Sequence, residues 1–105
     1  MSRGPNGAAV VVCDLGAWGA ASLLSEYDPG DDAIRVNARA VERVRAMLGA
    51  LAAEQFVACA VAHERFHREH PGCSEAEAHA FARATCGEDP KVFERALRAP
   101  QPVSR

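Results

Sequence analysis

The chain has 105 residues, 49% of them hydrophobic and 25% charged, with a formal net charge of −2. That is enough for one domain around a single core, and the composition is ordinary for a soluble globular protein. The balanced charge gives no ground for a nucleic-acid surface, and no apolar run approaches the roughly 20 residues a membrane span needs. We therefore expect neither as a partner.

Residues 1–7 carry Gly, Pro and Asn and read as a tail, as do residues 99–105. Residues 8–13 are apolar and rich in valine, the pattern of a buried strand. Residues 14–19 read as a glycine-punctuated loop, with Trp18 expected to anchor it in the core rather than to touch substrate. Leu23 to Val36 reads as a hairpin closed by Asp28-Pro29-Gly30-Asp31-Asp32, where each residue favours turn dihedrals or short side-chain hydrogen bonds. Asn37 is a good N-cap for a helix whose Val41, Val44, Leu48 and Leu51 form an inward stripe, ending or kinking at Gly49.

A second helix is predicted over residues 52–70 and stops at Pro71-Gly72. Ser74 followed by Glu77 has the capping-box spacing and opens a third helix, which runs to about Cys86-Gly87. Asp89-Pro90 then starts a short last helix with Phe93, Ala96 and Leu97 inward. The expected fold is α+β: one domain over residues 1–105, with a small antiparallel hairpin packed on a helical core.

The chemistry lies in the second helix, in Ala62-His63-Glu64-Arg65-Phe66-His67. Histidines at i and i+4 share one helical face, so both imidazoles can bind one metal ion. The adjacent Glu64 can serve as general base on a metal-bound water. An HExxH pattern arises by chance in roughly 1% of shuffled chains of this composition, so the context decides its meaning. Phe56, Ala60, His63 and His67 form one stripe, which puts the histidines on the core-facing side. The bland reading of such residues is a pair of partly buried histidines satisfied by neighbours.

The Pro71-Gly72 turn should fold the third helix back on the second. Counting outward from the turn, Glu75 comes level with His67, and His79 approaches the level of His63. This supplies the two histidines and one carboxylate of a zinc site with an open position, and a second-shell group to orient His63. The third ligand stays open on the residues alone. Glu75 leads, His79 follows, and Glu77 and Cys73 are weaker candidates; Glu77 has a rival role in the capping box.

His63 to His67, followed by Ser74-Glu75-Ala76-Glu77-Ala78-His79-Ala80-Phe81-Ala82, resembles the gluzincin metallopeptidases. The similarity is closest to their minimal versions and to the ImmA/IrrE-like proteins, and it covers roughly residues 20–87. The resemblance implies Zn2+ held by His63, His67 and Glu75, with Glu64 as catalytic base and a peptide or protein as substrate. It also implies an edge strand above the active-site helix that pairs with substrate. His79 stands where that family has Asp or Asn, and the linker from His67 to Glu75 is short.

The expected function is therefore zinc-dependent peptide-bond hydrolysis. Its rivals are a non-catalytic zinc-binding or interaction module and a metal-dependent enzyme acting on a small molecule. Cys13, Cys59, Cys73 and Cys86 lack a disulfide-framework spacing and read as reduced thiols in a cytoplasmic protein. Arg65 and Arg68 read as solvated, and His70 as a helix-end residue favoured by the macrodipole. The resemblance also makes Tyr27 a candidate oxyanion stabiliser.

Overall fold

The computed structural model describes residues 8–16, 24–86, 93, 96 and 97. The elements bounded among the described residues are, in chain order, β1 (Ala9–Cys13), β2 (Ser25–Asp28), β3 (Ala33–Asn37), α1 (Ala38–Leu48), α2 (Ala50–Glu69) and α3 (Glu75–Cys86). The fold is α+β, as expected.

The β2–β3 hairpin forms where the turn residues place it, with Ser25 opposite Val36 and Asp28 opposite Ala33. The Asp28 carboxylate accepts from the Gly30 N–H at 2.8 Å, and Asp32 takes a left-handed φ of 50°, a conformation aspartate tolerates better than most residues. Arg35 crosses the sheet to ion pairs with Glu26 and Asp28.

The sheet order is β1-β3-β2, and β1 pairs parallel to β3, so the sheet is mixed rather than an antiparallel hairpin alone. The central strand carries the burial: Ile34 and Val36 are fully enclosed. The expectation of a buried β1 is corrected. Val10, Val11 and Val12 are exposed because β1 is an edge strand. An unbroken apolar run suits a fully buried strand and cannot reveal that one side lacks a neighbour.

Asn37 joins strand to helix. Its side-chain oxygen accepts from the N–H of Arg39 (3.1 Å) and of Leu15 (3.2 Å), and its amide donates to the Gly16 carbonyl (2.9 Å). A fully buried asparagine is stable here because its polar atoms are matched. Gly49, at φ 101°, breaks α1 from α2 and donates back to the Arg45 carbonyl. The change of direction it imposes corrects the inward stripe. Val41 and Val44 are buried, but Leu48 and Leu51 are turned out, Leu51 being 68% exposed.

Phe56 anchors α2 in the core and meets Phe93 edge-on at 5.5 Å. Phe93, Ala96 and Leu97 are buried, as their spacing predicted. The Asp89-Pro90 helix start, Trp18, Leu23 and both tails lie outside the described residues. Among the described residues no helix is long and apolar enough to cross a membrane.

Candidate metal centre

The site is built on the C-terminal half of α2 and the first turns of α3. The short linker reverses the chain through Gly72 at φ 88°, a left-handed conformation that glycine adopts without steric cost. The capping box then starts α3: the Glu77 carboxylate accepts from the Ser74 N–H at 3.0 Å, and the Ser74 hydroxyl accepts from the Glu77 N–H at 3.1 Å. The helix runs back along α2, so that Glu75 at its start meets the two histidines and Cys86 at its end is bonded to Cys59.

The Nε2 atoms of His63 and His67 lie 3.2 Å apart. The Glu75 carboxylate spans both, 3.2 Å from His63 Nε2 and 2.6 Å from His67 Nε2. Tetrahedral zinc with bonds near 2.1 Å holds its ligand atoms roughly 3.4 Å apart, so the two ring nitrogens are spaced as zinc needs and the carboxylate, with Oε1 on His63 and Oε2 on His67, lies across them. The donor set fits zinc.

His79 is the fourth group. Its ring centroid is 4.6 Å from that of His63, and ligand atoms of His63, Glu75 and His79 all fall within 4.8 Å of one another. His63 is largely buried; burial, with the neighbouring His79 and His67 adding to it, outweighs the pull of Glu64 and Glu75 and lowers its pKa. A lowered pKa keeps the imidazole neutral, the form that ligates.

Glu64 lies beside this cluster: one of its oxygens and a ring nitrogen each of His63 and His67 also fall within 4.8 Å of one another. Its side chain is only 8% exposed, and one carboxylate oxygen, Oε2, lies 3.9 Å from His63 Nε2. The Ser25 hydroxyl on β2 donates to the same oxygen at 2.7 Å. Sequence reasoning missed Ser25, because nothing local marks a serine whose partner is 39 positions away. Ser25, Glu64, Glu75 and His79 line a cavity of about 300 Å3, with Cys59 and Phe93 among its apolar walls.

The weaker ligand candidates have other work. Glu77 is engaged in the capping box, and the Cys73 thiol lies 3.3 Å from His67 Nδ1, the nitrogen turned away from Glu75. Three further expectations are corrected. Cys59 and Cys86 form a disulfide; helix-to-helix proximity, invisible in their spacing, brings their Cα atoms to 5.8 Å. Arg68 is not merely solvated but pairs with Asp32 at 2.7 Å. The Tyr27 hydroxyl donates to that same Asp32 oxygen at 2.7 Å, a bond that raises its pKa, and it does not line the cavity. Cys13 and Cys73 remain free thiols, Arg65 is exposed, and His70 closes α2 stacked on Phe66.

Fold and site together define an α+β protein with a His-His-Glu cluster where two helices meet a sheet edge. No known protein family, curated protein or solved structure matches the chain.

Proposed function

We propose that the chain is a minimal zinc-dependent metallopeptidase of the gluzincin type, with His63, His67 and Glu75 as ligands and Glu64 as general base. The observation that carries this reading is the division of labour between two glutamates. Glu75 bridges both histidine Nε2 atoms at 3.2 and 2.6 Å, while the buried Glu64 stands further off, 3.9 Å from His63 Nε2, with the Ser25 hydroxyl bonded to its oxygen. A purely structural site has no use for a second, separately positioned carboxylate.

Zn2+, when bound, supplies Lewis acidity that polarises a peptide carbonyl and makes water more acidic. Glu64 takes the proton from the attacking water and passes it to the leaving amine nitrogen. Ser25 restricts the carboxylate to one orientation, and burial keeps His63 neutral for ligation. β2 is an edge strand next to the cavity, so an extended peptide adding to that edge would pass beside Glu64.

One observation favours a second reading. His79 stands close enough to His63 and Glu75 to serve as a fourth protein ligand, which would make a closed, non-catalytic zinc module. A cavity of about 300 Å3 would also admit a small molecule in place of a peptide. The cytoplasmic location read from the sequence rests on reduced thiols, and the Cys59–Cys86 bond, more at home in oxidising surroundings, counts against it.

Elemental analysis and peptide hydrolysis by the wild type, His63→Ala and Glu64→Gln test the proposal. We expect about one zinc per wild-type chain, loss of zinc in His63→Ala, and retained zinc with hydrolysis lowered by about 100-fold or more in Glu64→Gln. Unchanged metal content in His63→Ala would overturn the ligand set. Near-normal turnover in Glu64→Gln would overturn the role of the base.

A further inference from the structure

α3 supplies Glu75 and His79 to the centre and packs chiefly along α2. Of its residues only Ala78 and Ala82 are buried, and Phe81, which meets the Phe66 ring at 5.1 Å, is 38% exposed. Two alanine side chains remove little apolar surface from water. A helix of 12 residues is also at the lower limit of what persists without tertiary support. At its far end a disulfide joins Cys86 to Cys59, which lies one turn before His63 on α2 and lines the same cavity.

We propose that the Cys59–Cys86 disulfide is a redox gate on the metal centre: closed, it keeps α3 folded against α2 with Glu75 and His79 beside His63 and His67, and opened, it releases α3 and weakens the hold on the ion. The proposal rests on the metal reading above. Without α3 the centre loses Glu75 and His79 and keeps the α2 residues His63, Glu64 and His67, whose spacing needs no neighbouring helix.

The opening step is thiol–disulfide exchange with a dithiol. Its thiolate attacks the sulfur of Cys86, which is half-buried where Cys59 is buried, and the S–S bond breaks with the electron pair leaving on the Cys59 sulfur. The second dithiol sulfur then displaces the Cys86 thiolate, closing the dithiol to its own disulfide. Two electrons and two protons have passed to Cys59 and Cys86.

Coupling of this kind is reciprocal, so zinc must also protect the bond from reduction by the factor that the bond adds to zinc affinity. A factor of ten corresponds to a reduction potential lower by about 30 mV for a two-electron couple.

The test is zinc affinity of the full chain, by competition with a chromophoric chelator, before and after reduction with a water-soluble trialkylphosphine. The phosphine takes up one water oxygen as it becomes its oxide, leaves both cysteines as thiols and, unlike a dithiol, competes little for zinc. We expect the oxidised chain to bind zinc about tenfold tighter or more, a common size for coupling between sites. Amide exchange should rise over residues 75–86 on reduction while residues 38–48 stay protected, which separates release of α3 from global unfolding. The Cys59→Ser/Cys86→Ser variant should match the reduced protein and not respond to phosphine.

Equal zinc affinity in both redox states would overturn the gate and leave the metal centre standing. Failure of the chain to take up zinc in either state would overturn the metal reading and the gate with it. Mass spectrometry showing Cys59 and Cys86 unlinked in air-oxidised protein would overturn the gate alone.

Discussion

Replacing Ser25 by alanine removes the hydroxyl that donates to Glu64 Oε2 at 2.7 Å. Glu64 is 6% exposed overall, so water has little access to replace that donor. A hydrogen bond to a charged group is worth roughly 1.5–3 kcal/mol, and Ser25 is itself half-buried, so the loss should be about 2 kcal/mol. For a domain of this size that corresponds to a fall in Tm of about 8–16 °C. A double-mutant cycle with Glu64→Ala isolates the pair, because any cavity left by Glu64→Ala is present with and without the hydroxyl and cancels. Urea unfolding of zinc-free protein should give a coupling of about 1–2 kcal/mol between the two positions. A coupling below about 0.5 kcal/mol would mean that Ser25 does not hold Glu64, and the positioning of the proposed base would lose its support.

Leu51→Lys distinguishes the helical stripe from the folded structure. A core leucine would cost about 2–5 kcal/mol to remove, whereas at 68% exposure the change should stay within about 0.5 kcal/mol; a large loss in thermal or urea unfolding would return Leu51 to the core. The capping box gives a pH signature. Hydrogen bonds from Ser74, its backbone N–H first, lower the pKa of Glu77 below the usual carboxylate range, so its contribution is present above the unfolded-state value and lost as pH falls through the folded-state value. The stability advantage of the wild type over Glu77→Ala, measured without zinc, should therefore shrink between about pH 5 and pH 3. An advantage that grew on acidification would contradict the assignment.

The parts of the fold legible in the sequence were those whose causes lie within a few residues. The Asp28–Asp32 turn, the Asn37 cap, the break at Gly49 and the Ser74–Glu77 box each depend on dihedral preference or on a side chain reaching its own backbone. The same holds for His63 and His67, which helical periodicity alone places side by side. The approach of Glu75 was legible one step further out, by counting residues from a short turn.

Other features have causes that distance along the chain conceals. β1 has the composition of a buried strand, and its place at the sheet edge follows from which strands pair. Arg68 and Asp32 stand 36 positions apart, and Tyr27 is drawn to the same carboxylate. Leu48, the last residue of α1, is exposed, and the break at Gly49 puts Leu51 on a separate helix, facing solvent.

By itself the sequence determined the elements, their caps and the i, i+4 histidine pair, because these are set by local sterics and by hydrogen bonds closed over one turn. Only the tertiary structure decided that Ser25 would grip Glu64 and that Cys59 would join Cys86. Those contacts depend on how a sheet edge and two helices settle around a shared core, a packing outcome to which every buried side chain contributes and which no short window of residues encodes.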